Sequence, residues 1–469
     1  MKSRIVYGFI LFFLCMGRAF GNPLSLEEVL TSVSTHYPLM MGARMELQKA
    51  EADNLSAQGG FDPVLKSSYS STSGGYYNNT YIDVGIEQPT ALWGTKVFAG
   101  WRSGQGYFPP YDGKYATFTE GEFRGGVEVP LLRNGSFDER RFKAQASVKG
   151  IEVAHRGVEL QKLDLDKLAA HKYWDWVAAG KKLKTAVELL EISLIRDKAL
   201  IDRVKHGDSA QIDQVDNLRA VTQRQSAVIA AERALQKAAL ELSLFLRDAS
   251  GAPWVIEDTR LPSDFPEPNL NELSDKSDDF NRYLGAHPEI QRYQIQTDQL
   301  QLEYSLAVNQ VMPRLDFNLG IYSDMGTNPG GPNVLPPSGY PGEVRLGLQL
   351  EFPLLFRAPR GKREAVSITL NKLSLMQKLA RDRLEVQLND ASQAMKASYK
   401  RVTLARKEID LNAKLEEAER VRFQHGESNV LMINIREQIT RDAWVKEFEA
   451  LADFFKSKAE YIAARGEAS

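Results

Sequence analysis

The sequence predicts a mixed α/β membrane protein made of two copies of one unit, each joining a short β region to a very long helical hairpin. Three observations predict it. Segments of about ten residues alternate apolar and polar side chains, proline-free stretches keep heptad spacing far beyond an ordinary helix, and a set of landmarks recurs in order in both halves.

The chain begins as a secreted protein would. Lys2 and Arg4 precede an apolar stretch from Val6 to Met16, and Ala19-Phe20-Gly21 offers a small-x-small cleavage site before Asn22, so residues 1–21 read as a signal peptide. The apolar run is shorter than the roughly 20 residues that span a bilayer. The one cysteine, Cys15, lies inside this leader behind Phe13 and Leu14, where a lipoprotein would carry small residues. A mature chain without thiols excludes disulfides and cysteine-ligated metals. With 59 basic and 61 acidic residues in 469, the net charge of −2 lacks the cationic footprint of a nucleic-acid binder. Beyond the leader no stretch reaches about 18 apolar residues, so a transmembrane helix is not available.

The landmarks divide the mature chain into 22–247, a linker at 248–283, and 284–469. Tyr37-Pro38 and His287-Pro288 each open a helical segment, Leu39 to Gln58 and Glu289 to Gln310. Phe61-Asp62-Pro63 and Val311-Met312-Pro313 follow, again 250 residues apart. Val127-Glu128-Val129-Pro130-Leu131-Leu132 answers Leu350-Glu351-Phe352-Pro353-Leu354-Leu355, followed by basic clusters at Arg140-Arg141 and Arg360-Gly361-Lys362-Arg363. The last pair is Arg203 to Ser209 and Arg422 to Ser428. The offset falls from 250 to 223 across the β region, so the first copy carries 27 additional residues there.

Within the β regions Leu315, Phe317, Leu319 and Ile321 alternate with Asp316, Asn318 and Gly320, and Val344 to Phe352 repeats the pattern. Ile82, Val84 and Ile86 stand against Asp83, Gly85 and Glu87. Polar loops at Ser73 to Thr80 and Gly326 to Gly342 separate the strands. Apolar-out, polar-in strands of about this length suit a membrane barrel, although alternation alone also fits a soluble sandwich. Around Gly94 to Gly106 the alternation is poor, which leaves open an added hairpin or a surface flap. One hairpin per copy gives about four strands per chain, fewer than the smallest barrels hold, so the chain should close its sheet with further copies. Closure by itself sets no stoichiometry.

The helical regions run without proline from Phe137 to about Val204. Leu183, Val187, Leu190 and Leu194 space as a seam in the first copy; Leu384, Leu388, Ala391, Met395, Ser398, Val402, Ala405 and Ile409 do so in the second. About 65 helical residues span roughly 100 Å. Gly207 and Gly426 read as hairpin tips where one helix turns back into the next. Residues 248–283, with Pro253, Pro262, Pro266 and Pro268, read as irregular, able to pack as a belt.

No catalytic motif appears. Gly-x-Ser-x-Gly, a P-loop and His-Glu-x-x-His are all missing, and His36, His155, His171 and His287 keep no ligand spacing. Asp164 and Asp166 point to different faces of a helix. Neither an enzyme, a cofactor nor a metal is expected.

The proline-bracketed first helix, Phe61-Asp62-Pro63, the two strand ends closing in Pro-Leu-Leu and the two basic-x-x-His-Gly tips together resemble the TolC family of outer-membrane efflux proteins, over residues 25–465. The resemblance implies a trimeric outer-membrane β-barrel of twelve strands continuous with a periplasmic α-helical coiled-coil barrel. It also implies an inner-membrane pump and a periplasmic adaptor (membrane fusion) protein as partners, with outer-membrane lipid around the barrel and no nucleic acid. Function would then be that of a passive exit channel in efflux or type I secretion. The tip residues His206, Gly207, Asp208, His425, Gly426, Glu427 and Ser428 are the implied adaptor contact, and Asp213, Asp216, Met432 and Ile435 the gate candidates. Asp213 stands where many members carry aspartate, with Asp216 one turn on. The second copy departs, with Met432 and Ile435 at its acidic places and Phe423 and Ser428 where some members have a tyrosine and an arginine. An apolar constriction is the alternative to the polar latch. His206 and His425 read as helix C-terminal residues favoured by the dipole, with a pH-sensitive or metal role as the competing reading. A periplasmic coiled-coil scaffold that conducts nothing is the alternative function.

Overall fold

The computed structural model describes residues 22–109, 115–248, 250–271, 273, 277–327 and 342–467. The leader at 1–21 and residues 328–341 of the expected loop lie outside the described residues. In chain order the elements are α1 (Leu26–His36), α2 (Pro38–Gln58), β1 (Val64–Thr72), β2 (Asn79–Pro89), β3 (Lys96–Gly106), β4 (Gly121–Pro130), α3 (Glu139–His206) and α4 (Gln211–Ser243). Then follow α5 (Ser277–Ala286), α6 (Pro288–Gln310), β5 (Arg314–Met325), β6 (Glu343–Glu351), α7 (Arg357–Gln424) and α8 (Val430–Ala464). The helix at Ser277 begins inside the stretch expected to be irregular to 283. Two compact units form, Gly42–Leu160 with Leu284–Leu384, and Met1–Met41 with Gln161–Tyr283 and Glu385–Ser469. Each unit draws on both halves of the sequence, because α3 and α7 contribute residues to both.

Among the described residues the first unit carries an antiparallel sheet of six strands in sequential order, β1 to β6. Four strands come from the first half and two from the second, which corrects the expectation of about four per chain. The region left open by its poor alternation is β3, hydrogen-bonded to β2 on one side and β4 on the other. Its pattern is blurred by Gly100, Gly104 and Gly106 and by Phe98, an apolar residue on the polar face. That face needs small residues because large ones lie flat across it. A Cβ on Gly126 would meet the Phe98 ring at 2.7 Å, and one on Gly320 the Tyr322 ring at 2.5 Å. Beyond β4 the chain turns sharply into α3. Arg141 donates to the carbonyls of Asn134, Gly135 and Ser136, while the Asp138 carboxylate accepts from the Arg141 amide at 2.8 Å as a helix cap. Asn309, almost fully buried at the end of α6, accepts from the Asn134 amide at 2.7 Å and donates to Ser136 Oγ at 3.0 Å.

The helical unit has its own core. Trp176, Phe454, Leu200 and Leu242 are fully buried, and Trp174 stacks against both Phe455 (4.4 Å between ring centres) and Phe265 (5.7 Å), which themselves lie 6.3 Å apart. Phe265 belongs to the irregular stretch, which packs along this unit as a belt. The Leu24 amide donates to the Arg260 carbonyl at 2.8 Å, Lys181 pairs with Asp264 at 2.7 Å, and Arg406 with Glu267 at 2.6 Å. The buried Tyr173 hydroxyl donates to the Leu24 carbonyl at 2.8 Å, and burial pushes its pKa up to about 12. Leu388, Ala391, Met395, Ser398, Val402, Ala405 and Ile409 of the expected seam, and Leu384 beside them, are all buried. The first-copy register is different. Leu194 is 39% exposed, and beyond Lys181 the buried positions of α3 are Thr185, Leu189, Ser193 and Leu200. Polar Thr185 and Ser193 on that stripe concealed it from a hydrophobic pattern.

Candidate functional site

Two places have the chemistry that the sequence singled out: the two faces of the sheet, and the turns between long helices.

Strand register sorts the sheet's side chains along the central rows, with Phe98 the apolar exception on the polar face. Val84 stands opposite Trp101, Trp101 opposite Phe123, Val127 opposite Leu319, and Leu319 opposite Leu346. One face thus presents Ile82, Val84, Ile86, Val97, Ala99, Trp101, Phe123, Val127, Phe317, Leu319, Ile321 and the leucines of β6, and no described residue packs over the exposed leucines. The reverse face carries paired charge. Arg124 grips Asp83 through one nitrogen at 2.6 and 2.7 Å to its two oxygens, Lys66 pairs with Glu87 at 2.6 Å, Lys96 with Glu128 at 3.0 Å, and Arg102 with Glu122 at 2.8 Å. Arg345 bonds Glu343 at 2.6 Å and lies 4.2 Å from the Tyr322 ring centre. A greasy face against a salted one is what a wall between lipid and water requires. The strands, nine to twelve residues long, match the 9–11 of tilted membrane strands. Past the strand ends the apolar exposure continues at Leu92, Trp93, Leu131, Leu132, Phe352, Leu354 and Leu355, Leu354 being 88% exposed. The two Pro-Leu-Leu motifs therefore mark the apolar fringe where strands give way to helices, a level at which membrane proteins place interfacial residues.

At the turns, Gly207 has φ +77° and Gly426 φ +80°, the left-handed conformation that ends a helix with least strain in glycine. The same two bonds close both: Asp208 N to the Arg203 carbonyl and Glu427 N to that of Arg422, each at 2.8 Å, and the glycine amide to the carbonyl three residues back at 3.1 Å. His206 and His425 end at the surface, His206 Nδ1 lying 2.7 Å from the Asp202 carbonyl. Ser428 donates to Glu419. Asp213 and Asp216 lie half-buried in the first turns of α4. Met432 is half-buried, its amide bonded to the Asn429 cap at 2.9 Å. Ile435 is 42% exposed and lines a cleft of about 540 Å³ with Leu431, Arg219, Arg224, Asn434 and Arg441.

Beside that cleft is a cluster that the sequence reading missed. Glu437 is 1% exposed, and its carboxylate receives Arg196, Arg224 (3.1 Å) and Arg420 (3.5 Å), tying α3, α4, α7 and α8 together. Arg196 also donates to Asn434 Oδ1 at 2.6 Å, and Arg224 to the Leu189 carbonyl at 3.2 Å. Burial pulls the Arg224 pKa down, opposed by the Glu437 charge. The available signal was spacing: Asn217, Ala220, Val221 and Arg224, like Val430, Ile433, Asn434 and Glu437, fall on buried helical stripes on which polar residues would otherwise be wasted.

With this geometry in view, the likeness to solved structures is one of fold. The outer-membrane channel OprN matches with a TM-score of 0.67 at 12% identity, over 94% of this chain and 89% of that one. The Campylobacter jejuni CmeC outer membrane channel matches at 0.64 and 13% identity, over 94% and 85%. The Neisseria gonorrhoeae MtrE outer membrane channel, in its open state, matches at 0.66 and 14%, over 94% and 89%. Neither a family model nor a curated protein matches the sequence. The chain has the fold of the outer-membrane efflux channels, the fold that the resemblance to the TolC family implied.

Proposed function

We propose that this protein is an outer-membrane exit channel, a passive conduit for solutes delivered across the periplasm. The observation that carries the reading is the two-faced sheet. A continuous apolar face left bare by the chain has no place in water, and the paired charges behind it suit an aqueous bore. The fold shared with outer-membrane channels points the same way. By the resemblance, the working form is a homotrimer whose barrel sits in outer-membrane lipid and whose helices extend into the periplasm. An inner-membrane pump and a periplasmic adaptor act through the turns around Gly207 and Gly426, in drug, metal or type I protein export. Asp213, Asp216, Met432 and Ile435 are the gate candidates, and the polar Glu437 cluster lies next to Ile435 in the same helical unit. Energy comes from the pump, and no step of catalysis is assigned to this chain.

Cell fractionation tests the reading. The protein should co-purify with the outer membrane, need detergent for extraction, and its loss should raise intracellular retention of an exported solute. Recovery in the inner membrane, or in the soluble periplasm without detergent, would defeat it.

A further inference from the structure

We infer that residues 79–106, the β2–β3 hairpin, are membrane wall and not a surface flap, so each copy contributes six strands and the closed barrel holds a multiple of six. With the trimer of the reading above, on which the number three rests, that is eighteen strands in place of the twelve implied by the resemblance.

Four observations carry it. The hairpin, 28 residues long, nearly equals the 27 by which the first half of the sequence exceeds the second, as a whole insertion of two strands would. It stands inside the sheet: β2 pairs with β1 and β3 with β4, and no strand of the remaining four bypasses it. Its side chains keep the sorting of their neighbours. Val97, Ala99 and Trp101 continue the apolar rows of Val84, Ile86, Phe123 and Val127, while Lys96 and Arg102 join Glu128 and Glu122 on the charged face. A flap in water would gain nothing from that sorting.

The fourth observation concerns the ends of the sheet. Every position of β1 and β6 is exposed, including Val344, Leu346, Leu348 and Leu350 at 62–70%, whereas the inner strands are mostly half-buried by their neighbours. An open edge in lipid leaves each backbone donor unpaired at several kcal/mol, and six strands are fewer than the smallest membrane barrel. The occupant of each edge is a second copy of this chain. Because six is even, β1 and β6 run in opposite directions, so β6 of one copy meets β1 of the next in the antiparallel sense used throughout the sheet. Barrel diameter grows roughly in proportion to strand number, so the bore is about 1.5 times that of a twelve-strand wall.

The mature chain has no cysteine, so single substitutions K96C, V97C, F98C and A99C in the full-length protein accept a nitroxide at known sites. In outer membranes, labels at 97 and 99 should collide preferentially with oxygen, and those at 96 and 98 with a water-soluble nickel chelate. Strands counted in an electron cryo-microscopy map of the unlabelled protein should number eighteen in a trimer. Chelate access at all four sites, or twelve strands in a trimer, overturns the inference and leaves the channel reading standing. A chain that fractionates away from the outer membrane overturns both.

Discussion

The charged face of the sheet and the charged cluster at Glu437 use the same side chains to opposite ends. On the sheet, Lys66 and Glu87 are paired at 2.6 Å with side chains 62% and 41% exposed. In the helices, Glu437 is sealed at 1% with Arg224 5% exposed beside it. Water screens the first pair and leaves it worth little. The second cannot be opened without stranding an unpaired charge in the interior. The difference teaches where each region tolerates movement: the sheet's exposed pairs can exchange partners along its surface, whereas the four helices joined by Glu437 separate only at high cost. That places the stiffest electrostatic link of the helical unit close to the gate candidate Ile435.

The comparison can be broken from its strong end. Arg224→Met should lower unfolding stability of the helical unit by about 3–5 kcal/mol, the cost typical of removing one partner from a buried pair, read from chemical unfolding followed by circular dichroism. A loss below about 1 kcal/mol would mean that Arg196 and Arg420 already satisfy Glu437. Next comes the wall's own exception, Arg102 with Glu122, whose side chains are 9% and 4% exposed. Arg102→Met should cost about 1–3 kcal/mol through the stranded carboxylate, measured as a lower temperature at which the detergent-resistant form unfolds on gels.

A third test uses acid. Burial holds the His171 pKa below its ordinary 6.5, only partly offset by Glu460 with its oxygen 3.2 Å away. The folded protein therefore binds a proton less readily than the unfolded chain. Stability is full above about pH 6.5 and falls as the pH drops from there toward the depressed folded value. The melting temperature should decline as the pH falls below about 6.5, and His171→Gln should flatten that part of the curve. At the weak end, Lys66→Ala should change stability by less than about 1 kcal/mol. A larger loss would show that wall pairs are buried by a neighbouring copy.

Legibility followed the reach of the pattern. The eight-position stripe from Leu384 to Ile409 was readable because every member is small or apolar. The α3 stripe was misread because polar Thr185 and Ser193 occupy it. Strand β3 was obscured by Phe98 on the water face and by glycines, which carry no hydropathy signal yet are needed where Phe98, Arg124 and Tyr322 lie flat. Gly207 and Gly426 stand at two turns closed by the same bonds. Whether Asp213, Asp216, Met432 and Ile435 line one axis depends on copies that a single chain does not contain.

What the sequence determined by itself is periodic or local: alternation over strands, heptads over helices, and Gly207 and Gly426 in a left-handed turn, each dictated by backbone geometry within a few residues. Tertiary structure alone decided the six-strand count and the Glu437 cluster. A strand is defined by neighbours on both sides, and β4 finds β5 across about 190 residues of chain. Arg196 finds Glu437 across 241, a distance at which charge has no signature until the fold closes it.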